Sequence, residues 1–144
     1  IFLVPKSWKY LLTIILVLAG AVLTMIWSIP LLTDFTNTVA TKIIPLLSEG
    51  KLVLTIDRLS SFFIFVINLT VITGILYAYG YLKPYRNSKS NIQLSIHYFS
   101  YLLLHYSMLS VVMLRDGVAF LVAWEIMAVS SFALVIFDAE DKAT

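Results

Sequence analysis

Four long apolar runs dominate the sequence and limit what it can fold into. They cover about residues 10–29, 59–82, 94–114 and 117–137, and among Asp, Glu, Lys and Arg only one residue lies in them, a glutamate in the last. About 20 apolar residues at 1.5 Å each cross a hydrocarbon core of roughly 30 Å. The sequence therefore predicts an all-α membrane protein with four transmembrane helices. The last two are joined by the short sequence RDG, which predicts a tight antiparallel hairpin.

The composition supports a membrane protein and excludes several kinds of site. Hydrophobic residues make up 60% of the chain and charged residues 12%, whereas soluble domains have about 45–50% and about 25%. The net charge of +2 is too small to indicate nucleic-acid binding. Because the chain has no cysteine, disulfides, thiolate metal sites and cysteine-ligated iron–sulfur clusters are excluded. We expect no metal and no cofactor in this segment, so any redox chemistry lies in another subunit.

The basic residues predict an orientation. The loop at 83–93 has no acid and three basic residues, Lys83, Arg86 and Lys89, so the positive-inside rule places it in the cytoplasm. Lys6 and Lys9, two spans earlier, fall on the same side. Residues 30–58 and the RDG turn are then expected outside.

The outer loop at 30–58 is expected to contain local structure. Four apolar residues at helical spacing suggest a short amphipathic helix, namely Phe35, Val39, Ile43 and Leu46. The sequence KLVLTID predicts a short strand, since its β-branched residues favour extended backbone. Asp57 begins the sequence DRLS and is expected to cap the second span. The loop is equally compatible with a contact surface for another subunit.

Glu125 is the residue that most needs a functional explanation. It lies near the middle of the last run, where an ionised acid costs about 2.5–3.5 kcal/mol on insertion scales. A proton relay uses such a carboxyl, which binds and releases a proton when it is buried; the alternative is a hydrogen bond that only joins helices. The other three runs contain no lysine or arginine, so a basic partner is expected outside this segment. Ala119 and Ala123 would allow close approach of another helix.

Histidine and amide side chains are further candidates. His105 lies in the third run, within a stripe formed by Tyr98, Tyr101, His105, Met108 and Val112. It is a candidate for proton transfer or haem ligation, or a hydrogen-bonded packing residue. His97, eight residues earlier, is too far along the helix to share one metal ion with it. In the second run, inter-helix hydrogen bonds are expected for Asn68, Thr70 and Thr73.

Two stretches resemble a known family. They are IDRLSSFFIFVINLTVITGILYAYGYL and MLSVVMLRDGVAFLVAWEIMAVSSFALVIF. Together they resemble the antiporter-like, proton-translocating membrane subunits of respiratory complex I, multisubunit cation/proton antiporters and membrane-bound hydrogenases. The segments YAYGYL and AWEIMAVSS are most similar to the sequences of hydrogenase-4 component B and the related formate hydrogenlyase subunit. The resemblance covers roughly residues 52–138.

The resemblance implies a fold, a site and partners. The fold would be a larger inverted-repeat helical bundle, with one helix before Ile1 and most of the bundle after Thr144. Glu125, beside its motif neighbour Trp124, would be the carboxylate of a proton path along the membrane midplane. A lysine on a later helix would be its partner, and further membrane subunits would complete the complex. The membrane would be the cytoplasmic membrane of a bacterium or archaeon.

Three functions remain open at this stage. The first is a non-catalytic, proton-translocating subunit of a hydrogenase-type or NADH dehydrogenase-type oxidoreductase complex. The second is a subunit of a secondary cation/proton antiporter, which would exchange cations without an electron donor. The third is a structural anchor for a soluble enzyme.

Overall fold

Four long helices are the main elements of the computed structural model, which describes residues 1, 5–33, 39–45, 51–83 and 90–142. The helices are α1 Lys6–Thr33, α2 Arg58–Tyr81, α3 Asn91–Met113 and α4 Gly117–Lys142. Each is long and apolar enough to cross a bilayer. The predicted all-α fold with four transmembrane helices is therefore confirmed.

The first helix is longer at both ends than the sequence suggested. It begins at Lys6 and continues through Pro30 to Thr33, so the end predicted at about residue 29, just before Pro30, is wrong. A proline inside a helix removes one backbone hydrogen bond, and here that loss falls in the last turn. The Thr33 hydroxyl donates to the carbonyl of Ile29 at 3.2 Å, which supports this turn, as hydroxyl side chains do in other membrane helices.

An antiparallel hairpin connects the first two helices. Its strands are β1 Val39–Pro45 and β2 Lys51–Asp57. The strand predicted for KLVLTID is thus confirmed. The amphipathic helix predicted around Val39 and Ile43 is wrong, because these residues belong to β1. Its other two members, Phe35 and Leu46, lie outside the described residues, as do Arg86 and Lys89 of the predicted cytoplasmic loop.

The hairpin forms because β1 is rich in residues that favour extended backbone. Val39, Thr41, Ile43 and Ile44 are all β-branched, which restricts their side chains in a helix and suits a strand. Pairing with β2 then provides the inter-strand hydrogen bonds. Apolar residues four positions apart fit one face of a helix, but the same residues are β-branched and also fit a strand. Pairing with β2 favours the strand.

One end of the bundle is tied together by contacts between the hairpin and the α3–α4 turn. Leu54 forms a bridge with Leu114, and the backbone N–H of Arg115 donates to the carbonyl of Val53 at 3.3 Å. The Arg115 guanidinium also lies 3.2 Å from the carboxylate of Asp57. The two segments predicted to lie outside therefore share one end of the bundle, called the hairpin end below.

Asp57 begins α2 in the way the sequence predicts. Its carboxylate accepts a hydrogen bond from the backbone N–H of Ser60 at 2.7 Å, which makes it the N-cap of the helix. Replacing Asp57 with alanine is expected to lower the free energy of unfolding by about 1–2 kcal/mol. Asp57→Asn is expected to cost less than about 1 kcal/mol, because asparagine caps equally well and only the exposed pair with Arg115 is lost. Equal losses in both variants, measured by thermal unfolding in detergent, would contradict the capping role.

Asp57 also gives the stability a dependence on pH. The backbone N–H of Ser60 lowers the pKa of this carboxyl below its ordinary value, and the Arg115 guanidinium acts in the same direction. A lowered folded-state pKa means that the stabilisation is present above the ordinary pKa of about 4. It is then lost as the pH falls through the lower, folded-state pKa. The stability difference between wild type and Asp57→Asn should therefore shrink below about pH 4.

The fourth helix is attached to the bundle along one narrow face. It packs mainly against α3, and three of its side chains are buried at seven-residue steps, Ala123, Ser130 and Phe137. Ala119 is half-buried, so the small-residue step predicted at Ala119 and Ala123 lies on this packed face. The opposite face is exposed and almost entirely apolar.

Candidate functional site

A chain of hydrogen bonds crosses the interior of the bundle and joins three helices. Nε2 of His105 on α3 lies 3.0 Å from Oδ1 of Asn68 on α2. Nδ2 of Asn68 then donates to the hydroxyl oxygen of Thr24 on α1 at 3.0 Å. His105 and Asn68 are both 0% exposed. Polar groups buried to this degree need hydrogen-bond partners, since unpaired polar groups are costly in a low-dielectric interior.

The members of this chain lie at a common depth. His105 lies eight residues before the end of α3 at Met113, or about 12 Å along the axis at 1.5 Å per residue. By the same rise, Asn68 lies about 15 Å from the start of α2 and Thr24 about 14 Å from the end of α1. These three helix termini all face the hairpin end. The chain therefore crosses the bundle near the middle of a hydrocarbon core of roughly 30 Å.

Glu125 lies at this same depth, but outside the packed interior. It follows the start of α4 at Gly117 by eight residues, again about 12 Å from the hairpin end. Its side chain is exposed and borders an open groove between α3 and α4, where Phe99, Ser100 and Leu103 form the α3 wall. Within the described part of the chain, no hydrogen bond or ion pair reaches it. A carboxyl at this depth is accessible to a neighbouring helix.

α3 separates the two predicted proton-transfer residues. His105 faces the interior, whereas Leu103 lines the groove beside Glu125; two residues along a helix correspond to a rotation of about 200°. Glu125 on α4 and His105 on α3 therefore lie on opposite sides of α3 at about the same depth. The structure does not bring them into contact. Trp124, the motif neighbour of Glu125, is 48% exposed and lies on the outer face of α4.

Of the three polar residues singled out in α2, only one joins helices. Asn68 bonds to both α1 and α3, as predicted. Thr70 and Thr73 are exposed and donate to the carbonyls of Val66 and Leu69 in their own helix, each at 2.9 Å. The prediction of inter-helix bonds for these two threonines is wrong, because hydroxyls in membrane helices readily bond the preceding turn.

Lys9 is a buried basic residue that the sequence reasoning did not identify. Its side chain is 0% exposed, and its ammonium group donates to the carbonyl of Asn91 at 2.9 Å and to the hydroxyl of Ser95. It lies at the end of the bundle opposite the hairpin end, and the first membrane-spanning helix includes it. The apolar run was counted from Tyr10, so Lys9 was assigned to the flanking segment.

A periodic signal in the sequence identifies the buried face of α1. Its polar residues recur at helical spacing, and the structure buries Lys9, Thr13 and Ser28 and half-buries Thr24 along one side. A helix surrounded by lipid on its apolar side directs its polar residues to the bundle interior. The spacing of the hydroxyl residues in α1 therefore indicates the face on which Thr24 meets Asn68.

The site shows no grouping of ligands for a metal. Among the described residues, no three histidine, aspartate or glutamate side chains come together. His97 packs its ring against Phe137, with ring centroids 4.5 Å apart. The two histidines therefore lie in separate environments on α3.

Comparison of the chain with protein-family models, with curated proteins and with solved structures gives no significant match. The polar groups within the four helices are therefore the features of this chain that bear on its function.

Proposed function

We propose that this chain is a proton-translocating membrane subunit, and that Glu125 exchanges protons along a path near the membrane midplane. One observation carries the proposal: each of the four helices places a polar residue at about the same depth, Thr24, Asn68, His105 and Glu125. Polar groups in the middle of a membrane are costly and usually mark ion or proton pathways. Three of the four are joined by hydrogen bonds in the interior, and Glu125 lies at the same depth on the other side of α3.

The exposed position of Glu125 supports a partner helix with a basic side chain. An acid facing hydrocarbon without a partner is costly, whereas a lysine from another helix would offset the charge. The groove beside Glu125 has a volume of about 310 Å³ and small residues in its wall, among them Ser100 and Ala133, which permit close approach of a helix. The partner would lie on a further helix of the same subunit, or on a neighbouring subunit.

The reaction to which proton movement is coupled follows from the family resemblance. We place the chain in a hydrogenase-type or NADH dehydrogenase-type oxidoreductase complex of a bacterial or archaeal cytoplasmic membrane. The complex would carry its electron-transfer cofactors in other subunits, since this chain has no cysteine. His105 would be a second proton-transfer residue, on the face of α3 that points away from Glu125.

Proton flux in vesicles that contain the intact complex tests this proposal. Glu125→Gln is expected to reduce proton movement by more than about tenfold while electron transfer continues, since positioned acid–base groups contribute about 10²–10⁴ in rate. Asp116→Asn is the matched control, an acid-to-amide change at the helix start where either residue can accept the bond from the Ala119 N–H. Sodium-dependent exchange without an electron donor would indicate an antiporter instead. Unchanged flux in Glu125→Gln would leave Glu125 with a structural role.

A further inference from the structure

The hydrogen-bond chain in the interior has a direction, which begins at α1. The Thr24 hydroxyl has one hydrogen and donates it to the carbonyl of Gly20 at 2.8 Å. Its oxygen therefore accepts from Asn68, and the nitrogen of the Asn68 amide must face Thr24. The amide oxygen of Asn68 then faces His105. Because an amide oxygen only accepts, Nε2 of His105 must carry a hydrogen.

This direction leaves the other imidazole nitrogen of His105 as a bare acceptor. A neutral imidazole carries one hydrogen, and the bond to Asn68 places it on Nε2. Nδ1 is buried, and no described residue donates to it. Leu102 and Leu109, one turn away on either side along α3, belong to the apolar core. A buried acceptor without a donor is uncommon in proteins and calls for a functional explanation.

We propose that Asn68 is a positioning residue that fixes His105 in its Nε2–H tautomer, so that Nδ1 is the atom that takes up and releases a proton. This inference rests on the proposed function and adds a residue and an atom to it. The step is balanced without a further reactant: a proton binds to the lone pair of Nδ1, giving an imidazolium, and the same proton leaves from Nδ1. The bond from Nε2–H to Asn68 persists throughout and keeps the ring in place.

The described groups around His105 do not take up a proton in place of Nδ1. Among the described residues, Asn68 is the side chain that hydrogen-bonds to His105, and Asn68 is bonded in turn to Thr24; neither an amide nor a hydroxyl titrates near neutral pH. On α3 itself, the nearest titratable groups are Tyr101 and Tyr106, and both of their hydroxyls donate to backbone carbonyls of the neighbouring helices. Glu125 on α4 lies on the other face of α3. Proton uptake at His105 is therefore governed by access to Nδ1.

Nitrogen NMR on the chain in lipid bilayers tests the tautomer directly. The chain has two histidines, so ¹⁵N-histidine labelling of the His97→Gln variant reports on His105 alone. We expect a protonated, pyrrole-type Nε2 and an unprotonated, pyridine-type Nδ1 at neutral pH. In Asn68→Leu the two tautomers should mix, whereas Asn68→Asp should keep Nε2 protonated because an oxygen acceptor remains. Thr70→Val, on the exposed face of the same helix, should leave the spectrum unchanged. A native chain with its proton on Nδ1 would overturn the inference.

Proton flux in the intact complex then tests whether the positioning has a function. Asn68→Leu is expected to lower the flux about tenfold, the low end of the range found for residues that orient metal-ligating histidines, and Asn68→Asp should restore much of it. Flux unchanged in both Asn68→Leu and His105→Gln would overturn the role of Nδ1. The proposed function is tested separately by Glu125→Gln, so loss of flux there with no effect at Asn68 would reject only the inference on His105.

Discussion

Replacing Lys9 with alanine is expected to lower the free energy of unfolding by about 3–5 kcal/mol, in the range found when a large buried side chain is truncated. The Lys9 side chain fills space between α1 and the start of α3, and its ammonium group holds two oxygens of α3, on Asn91 and Ser95. Both the packing and the hydrogen bonds are lost in Lys9→Ala.

A volume-conserving variant separates these two contributions. Lys9→Met keeps most of the packing and loses the hydrogen bonds to α3, which are worth about 1–2 kcal/mol between membrane helices. Lys83→Ala is the matched control, since this lysine lies at the same end of the bundle but is exposed, and its loss should change stability by less than about 0.5 kcal/mol. Unfolding by a denaturing detergent in mixed micelles measures all three. If Lys9→Ala is as stable as Lys83→Ala, the lysine does not join α1 to α3.

The four helices could be predicted because their signal is long and does not depend on tertiary contacts. A run of 20 apolar residues has few alternatives to a membrane-spanning helix, and the N-cap at Asp57 is a local pattern. The strand β1 was missed for the opposite reason. Its seven residues, Val39–Pro45, fit a helical face and an extended strand, and only pairing with the distant residues of β2 decides between them.

The candidate site was partly predictable for a related reason. Glu125 is conspicuous because charge is rare in an apolar run, and His105 because it is an imidazole near the middle of the third run. Their separation by α3 depends on how α3 and α4 rotate against each other, which no local pattern gives. The link from His105 through Asn68 to Thr24 requires three helices at one depth, so it became visible only in the folded bundle. Lys9 was missed because a basic residue at the end of a run resembles a flanking charge.

Two glycines lie against tyrosine hydroxyls of α3, Gly20 against Tyr106 and Gly74 against Tyr101, and the contact at Gly74 is the closer one. A methyl group added at Gly74 on α2 would lie 2.7 Å from the Tyr101 hydroxyl oxygen, closer than these atoms can approach. That hydroxyl donates to the carbonyl of Val71 at 2.6 Å and is held in place by it. Gly74→Ala is therefore expected to lower the free energy of unfolding by about 1–3 kcal/mol, as overpacking does.

Gly80, on the same helix, provides a control in which the free energy of unfolding should not fall. An added methyl at Gly80 meets no atom within 4 Å. Alanine is favoured over glycine in a helix by about 0.5–1 kcal/mol, so Gly80→Ala should leave stability unchanged or raise it slightly. A similar loss at Gly74 and Gly80 would mean that the Tyr101 contact has no part in the effect.

Removing the clashing atom should rescue the Gly74 variant. In Tyr101→Phe the hydroxyl is absent, and the nearest remaining ring atom lies 3.8 Å from the added methyl, which is ordinary van der Waals contact. The double variant Gly74→Ala/Tyr101→Phe should therefore be more stable than the sum of the two single changes predicts, with a coupling energy of about 1–2 kcal/mol. Strict additivity would show that α2 and α3 do not meet at this point. Tyr101 lies one turn from His105 on α3. Strict additivity would therefore also contradict the α2–α3 packing that places His105 at the depth of Asn68.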